Sequence, residues 1–199
     1  DAVVREGLWA RYEELFRAFG WDVVIVKSGS LQQQAFAEPG GAKLRDWIDR
    51  CPNMLYSALV FQGGAAWRRR LIDEIGADAD VRALLDRRND DQLAALMNNL
   101  GGHDLPALLD AFNGIEHDRP VCFICYTVKG FGLPMAGHKD NHAGLMTPAQ
   151  MATFQQAMAV RAGHEWDKFE GLDNADALQA FLDQVPFAAG GERRLNAPM

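Results

Sequence analysis

Residues Trp21-Asp-Val-Val-Ile-Val26, which Lys27-Ser-Gly-Ser30 follows directly, are the strongest indication of the fold in this sequence. Their β-branched, nearly continuous apolar side chains predict a short strand that is buried on both faces, and the polar turn predicts a loop at the carboxyl end of that strand. Apolar side chains recur at helical spacing over residues 8–19, and Gly20 is of the type that commonly ends a helix. We therefore expect a helix that ends near Gly20 and leads into a buried strand.

The same order of helix and strand returns later in the chain. The segment Asp104-Leu-Pro-Ala-Leu-Leu-Asp-Ala-Phe112 predicts a helix that Asp104 caps and in whose first turn Pro106 lies. The apolar, β-branched run over residues 121–127 predicts a second strand. Helices that alternate with such strands favour an α/β fold, in which a parallel sheet carries helices on both faces.

The residues between these two units have helical patterns and little strand character, so we expect a helical insertion over residues 31–99. Four helices are predicted within it, at residues 42–50, 65–75, 80–87 and 91–98. Asp78 and Asp90 are the candidate N-caps of the last two, because a short acceptor side chain suits that position. The basic run Trp67-Arg-Arg-Arg70 is interpreted as a solvated helix face rather than an anion site.

A glycine-rich loop over residues 128–144 follows the second strand and contains His138 and His142. Long loops inside compact domains usually carry function. Thr147-Pro-Ala-Gln150 then predicts a capping box that opens a helix to about Ala162, and a last helix is expected near residues 175–182. The expected organisation is a domain start at 1–30, the insertion, the remainder of the domain at 100–185, and a linker to another domain at 186–199.

Composition restricts the function of the chain. Its 199 residues include 20 Lys and Arg against 27 Asp and Glu, a formal charge of −7, which argues against a nucleic-acid partner. The apolar runs are far shorter than the roughly 20 residues that cross a bilayer, so no membrane span is expected. Three cysteines, an odd number, favour a reducing compartment, and we expect a cytoplasmic protein. Cys122 and Cys125 lie three apart on a strand and cannot share a metal ion, since they point to opposite faces.

Three polar, glycine-bearing segments should meet at the carboxyl ends of the two strands: residues 27–30, Gly101-Gly-His-Asp104, and residues 129–144. Glycine lets the backbone approach a diphosphate, Lys129 offers a cation, and histidine can donate to a phosphate or a reacting oxygen. No Gly-x-Gly-x-x-Gly follows a strand and no P-loop is present, which argues against nicotinamide and P-loop chemistry. His142 is favoured as a functional residue, and His138 stays open as the alternative.

These segments resemble the thiamine-diphosphate enzymes of the transketolase superfamily, and most of all the homodimeric first component of pyruvate (2-oxo acid) dehydrogenase complexes. The resemblance rests on residues 16–26, the Lys27–Ser30 turn, Gly-Gly-His-Asp, the Thr-Val-Lys-Gly-Phe-Gly run that ends at Gly132, and the histidine-bearing loop. It implies a partial thiamine-diphosphate-binding fold, the carboxyl half of the diphosphate-binding domain. The Gly-Asp-Gly motif and the asparagine that hold Mg²⁺ in relatives are not in this sequence.

The resemblance implies that the chain is part of an enzyme that decarboxylates a 2-oxo acid such as pyruvate and transfers the acyl group to lipoyl-lysine. Its cofactors would be thiamine diphosphate and Mg²⁺, and its partners a second, identical subunit and a lipoyl-bearing acyltransferase. The implied catalytic residues are His142 and His138, and the implied cofactor-binding residues are Lys129, His103 and Ser28, with no metal ligand in the chain. We expect the isolated chain to be inactive. A transketolase-type two-carbon transferase and a non-catalytic interaction module that retains the scaffold stay open as alternatives.

Overall fold

The computed structural model describes residues 7–185 of the chain, which divides into two compact units, 1–145 and 146–199. The expected linker at 186–199 lies outside the described residues. In the first unit the elements are α1 (Leu8–Ala18), β1 (Asp22–Val26), α2 (Ser30–Phe36), α3 (Gly41–Arg50), α4 (Asn53–Gln62), α5 (Gly64–Ile75), α6 (Ala79–Asp86), α7 (Asp90–Asn98), α8 (Leu105–Asn113) and β2 (Val121–Cys125). The second unit contains α9 (Pro148–Ala157) and α10 (Ala175–Leu182). No helix in these ranges has the length and apolar character needed to cross a membrane.

The two predicted strands form a parallel sheet, in register from Asp22 opposite Val121 to Val26 opposite Cys125. Each face of this sheet carries a helix. Trp9 of α1 lies 5.4 Å from the ring of Tyr126, and Phe112 of α8 lies 4.2 Å from the ring of Phe123, three residues earlier and therefore on the other face. The predicted α/β fold, a parallel sheet between helices, is confirmed. The expected burial of β1 on both faces is wrong, because Ile25 is 44% exposed.

The largest hydrophobic core of the first unit lies among the helices between the strands. Trp67 on α5 is at its centre, fully buried, with Tyr56 at 4.9 Å and Trp47 at 6.0 Å between ring centroids. Eight other apolar residues of the same core are fully buried: Ala35, Leu44, Leu71, Val81, Leu84, Leu85, Leu93 and Met97. The four helices predicted here are present, each within one residue of its predicted ends.

Two helices of this region, α2 and α4, were not expected. α2 begins at Ser30, inside the segment predicted as a loop, and it buries Gln32 rather than a row of leucines. The Gln32 amide reaches the hydroxyl of Tyr56 at 3.2 Å and the carbonyl of Met97 at 3.3 Å. In α2, the buried position is taken by a glutamine, so the spacing of apolar residues does not show a helical period. In α4, apolar side chains occupy most positions, so no helical period is visible either.

Two expectations about charged residues in this region are corrected. Asp90 is not the N-cap of α7, because Asn89 accepts from the N–H of Gln92 at 2.8 Å and forms a reciprocal capping box with it. The basic run at 67–70 is not simply a solvated face, since Arg68 donates to the carbonyl of Leu85 at 2.9 Å and pairs with Asp90 at 2.6 Å. Asp78 caps α6 as predicted, at 2.9 Å and 3.1 Å from two backbone N–H groups.

The second unit has the predicted capping box at its start. Gln150 donates its N–H to Oγ1 of Thr147 at 3.2 Å, and Thr147 donates its own to the Gln150 side chain at 2.9 Å. The predicted end at Ala162 is wrong, because α9 stops at Ala157 and Ala159 adopts a left-handed backbone, with φ 54°. Glycine is the usual residue for such a turn, so an alanine there gave no sign of the helix end.

Candidate functional site

The three glycine-bearing segments meet at the carboxyl ends of the strands, as predicted. Gly101 donates its N–H to the carbonyl of Lys27 at 2.8 Å, and Gly102 donates to the carbonyl of Tyr126 at 2.9 Å. A Cβ at Gly101 would lie 2.6 Å from the carbonyl oxygen of Val26, and one at Gly102 would lie 2.6 Å from that of Tyr126. The glycine pair therefore joins the two strand ends at a separation that a side chain would not allow.

Asp104 stabilises this junction through both of its carboxylate oxygens. One carboxylate oxygen caps α8 by accepting from the N–H of Ala107 at 2.9 Å, and the other accepts from Ser30 Oγ and Asn99 Nδ2, both at 2.8 Å. Burial raises the pKa of the Asp104 carboxyl, but these donors together outweigh it and hold the pKa below its usual value. Asp104 is thus an ionised structural bridge between α2, the glycine turn and α8.

His103 holds the base of the long loop. Its Nε2 accepts from the N–H of Val128 at 2.7 Å, and its ring stacks on Phe131 at 3.9 Å with the planes 8° apart. Burial lowers the pKa of His103, and the accepted N–H needs the lone pair of a neutral ring. Ser28 is held through its backbone. It forms an isolated antiparallel β-bridge with Leu100, and its carbonyl accepts from Nε2 of Gln33 at 2.9 Å.

A cavity of about 510 Å³ opens beside these strand ends, between α1, α3, α4 and the loop. Four of its lining residues are basic: Lys27, Lys129, His138 and Lys139. Asp49 is the one carboxylate among the described residues that line it. Trp9 and Tyr126 form an aromatic wall, with their rings 5.4 Å apart. A cavity with this lining suits an anion attached to a flat or apolar group.

The loop over 128–144 folds against α4. Lys129 accepts at its carbonyl from the N–H of Gly137 at 3.1 Å and from Nδ2 of Asn141 at 2.7 Å. The ring of His138 lies 4.6 Å from that of Phe61, and its Nδ1 accepts from the N–H of Asp140 at 3.1 Å. These contacts bring His138 to the cavity.

The predicted site residues thus divide into two groups. Lys129 and His138 line the cavity, whereas His103, Ser28 and His142 are not part of its lining. His142 is exposed on the same loop. The cofactor-binding and catalytic roles of all five stay predictions.

Sequence reasoning missed the residues that α1, α3 and α4 bring to the cavity, among them Trp9, Asp49 and Tyr56. Because α4 was not expected, nothing in the sequence indicated that the loop would have a helix to pack against. Lys27 lies in the predicted turn at residues 27–30, but no motif pairs it with a residue of α3.

Gly137 should be essential for the position of His138. Its φ is +74°, and a Cβ would lie 2.2 Å from the carbonyl oxygen of Ser57 on α4. We expect Gly137→Ala to detach the loop and speed hydrogen exchange over residues 129–144. Gly132→Ala is the matched control, because Gly132 has a similar φ of +80° but no atom within 4 Å of the added Cβ. Equal exchange in the two variants would mean that backbone strain, and not contact with α4, controls the loop.

The second unit brings together His164, Asp167 and Glu170, whose ligand atoms lie within 4.8 Å of one another. Arg161 already binds both oxygens of Glu170, at 2.6 Å and 2.9 Å, and lowers the pKa of Glu170 to about 2. The Asp167 carboxylate lies 2.6 Å from Nδ1 of His164. The group is accounted for by these ion pairs and hydrogen bonds.

No known family profile matches the chain. The chain is similar to the pyruvate dehydrogenase E1 component of Haemophilus influenzae, with 29% identity over 129 residues. The match covers 64% of this chain and 14% of that protein, so the chain spans a small part of its relative. This similarity is distant and concerns only part of the E1 component. It agrees with the family that the strand ends and the loop resemble.

Proposed function

We propose that this chain is part of a thiamine-diphosphate-dependent 2-oxo acid dehydrogenase that acts on pyruvate or a similar acid. The observation that carries the proposal is the basic cavity at the carboxyl ends of β1 and β2, since it is lined by segments that resemble this family. The distant similarity to a pyruvate dehydrogenase E1 component supports the same class.

The residues present fit one part of the cofactor. The ammonium groups of Lys27 and Lys129 suit the charge of a diphosphate, and the aromatic wall suits a flat ring. Lys139 pairs with Asp140 at 2.5 Å and adds less charge. Mg²⁺ needs several oxygen ligands, and the one carboxylate on the described cavity wall, Asp49, is bound to Lys27 at 2.5 Å. The chain therefore suits the diphosphate but not the metal, whose ligands we assign to another part of the protein.

In this proposal the residues of the chain bind the cofactor, orient the substrate and transfer protons. When bound, thiamine diphosphate supplies the carbon that adds to the 2-oxo group and the ring that takes up electrons as carbon dioxide leaves. Lys129 binds a diphosphate oxygen. His138, at the cavity, serves as a general acid or base, a role that contributes about 10²- to 10⁴-fold to the rate. His142, exposed on the same loop, serves the acceptor side, where a lipoyl-lysine receives the acyl group.

The proposal is tested on the full-length product of the gene. We expect reduction of an artificial electron acceptor that depends on pyruvate, thiamine diphosphate and Mg²⁺. Lys129→Ala should weaken the apparent affinity for the cofactor about tenfold or more, whereas Lys43→Ala, which removes a lysine that pairs with Asp78 outside the cavity, should not.

Other outcomes would contradict the proposal in distinct ways. Transfer of a two-carbon unit between sugar phosphates, without oxidation, would indicate a transketolase-type enzyme. Failure to bind thiamine diphosphate, together with no Gly-Asp-Gly encoded before Asp1, would indicate a non-catalytic module.

A further inference from the structure

We propose that Lys27 is an anion subsite of the cavity and that Asp49 occupies this subsite when no anion is bound. The Lys27 ammonium lies 2.5 Å from Oδ1 of Asp49 and 5.5 Å from the centre of the Tyr126 ring. Both residues of the pair line the cavity. An anion that enters can therefore take the place of the Asp49 carboxylate on Lys27.

Lys27 is held in position for this role. Its backbone follows β1 directly, and its carbonyl accepts from the N–H of Gly101 at 2.8 Å. Its side chain is 27% exposed, and the nearby face of Tyr126 favours a cation at that place. A partly desolvated cation attracts an oxyanion more strongly than a fully hydrated one, because less water must be removed.

Asp49 is the more exposed member of the pair. Its side chain is 46% exposed, and its second oxygen lies 3.8 Å from Nε of Arg45, one turn earlier on α3. When an anion takes Lys27, Asp49 can therefore turn to Arg45 and to water at little cost. Asp49 thus acts as a competitor built into the cavity wall, and it sets the affinity of the cavity for anions.

The ligand chemistry that this subsite recognises is a compact oxyanion. If the proposed function holds, two sources exist: the diphosphate of the cofactor and the carboxylate of a 2-oxo acid. The inference rests on the proposed function only for this identification. Inorganic diphosphate and pyruvate serve as separate probes, since the source that uses Lys27 must respond to a change at Asp49.

The test is calorimetric titration of the 199-residue chain with each probe, without Mg²⁺. Asp49→Asn should tighten binding of one probe about tenfold, because it removes a negative charge a few ångströms from the anion. Asp46→Asn is the matched control: it removes the same charge from the same helix, but Asp46 pairs with Arg50 and does not line the cavity. The affinity of the Asp46→Asn chain for the same probe should stay within about twofold of that of the unchanged chain.

Two further variants identify the cation. Lys27→Met should weaken binding and abolish the gain that Asp49→Asn gives, whereas Lys129→Met should leave that gain intact. Thermal melting identifies variants that fail to fold. If Lys27→Met does not fold, the comparison of Lys129→Met with and without Asp49→Asn still tests whether Lys129 is the cation responsible for the gain. Equal affinities for the Asp49→Asn and Asp46→Asn chains, or loss of the gain with Lys129→Met, would overturn the inference. Neither result depends on turnover, so failure here and failure of the proposed function are distinguishable.

Discussion

Replacing Trp67 with alanine should lower the free energy of unfolding by about 3–5 kcal/mol, the range for removing a large aromatic side chain from a packed core. Trp67 is fully buried, and its ring contacts Trp47 on α3 and Tyr56 on α4. The cavity left by the indole would therefore weaken three helices at once. Denaturant unfolding of the 199-residue chain, followed by circular dichroism, measures the effect.

Trp166→Ala is the control for this prediction. Trp166 is 97% exposed and lies in the second unit, so its removal should change the free energy of unfolding by no more than about 0.5 kcal/mol. A loss for Trp67→Ala as small as that for Trp166→Ala would show that the helices between the strands do not pack around Trp67.

The second large effect concerns the two loop histidines in the full-length protein. His142→Ala should lower acyl transfer to a lipoyl acceptor about 100-fold, because an exposed histidine on this loop is open to a partner that approaches from outside. The melting temperature should change little, since no core side chain is lost. His138→Ala should instead lower the reduction of an artificial electron acceptor, because His138 lines the cavity.

Comparing these two variants in both assays separates the roles. If His142→Ala impairs both activities and His138→Ala neither, then His142 reaches the cavity in the full-length protein and His138 is a packing residue against Phe61. If neither variant loses activity, the two histidines of the loop do not take part in the reaction.

The secondary structure was predictable where a local signal existed. The β-branched runs that became β1 and β2, and the capping residues Asp104 and Thr147, each act on their immediate neighbours in the chain. α2 gave no such signal, because burial of Gln32 depends on Tyr56 and on the carbonyl of Met97, 65 residues away. α4 gave none because apolar side chains occupy most of its positions. The choice between Asn89 and Asp90 as a cap depended on one residue of register.

The candidate site was also predictable only in part. That three glycine-bearing segments would meet follows from the rule that the carboxyl ends of parallel strands lie at one edge of a sheet. The cavity beside them could not be predicted, because its opposite wall comes from α3 and α4. The pairing of Lys27 with Asp49, 22 residues apart on different elements, depends on how α3 packs, and no spacing rule indicates it.

The bond between Val128 and Nε2 of His103 makes the loop sensitive to acid. Because the folded state lowers the pKa of His103, the unfolded chain binds a proton there more readily than the folded one. The stabilisation is complete above the ordinary histidine pKa of about 6.5 and declines as the pH falls from there through the lowered pKa. A proton on Nε2 displaces the N–H of Val128, and acidification would therefore release the base of the loop that carries Lys129 and His138.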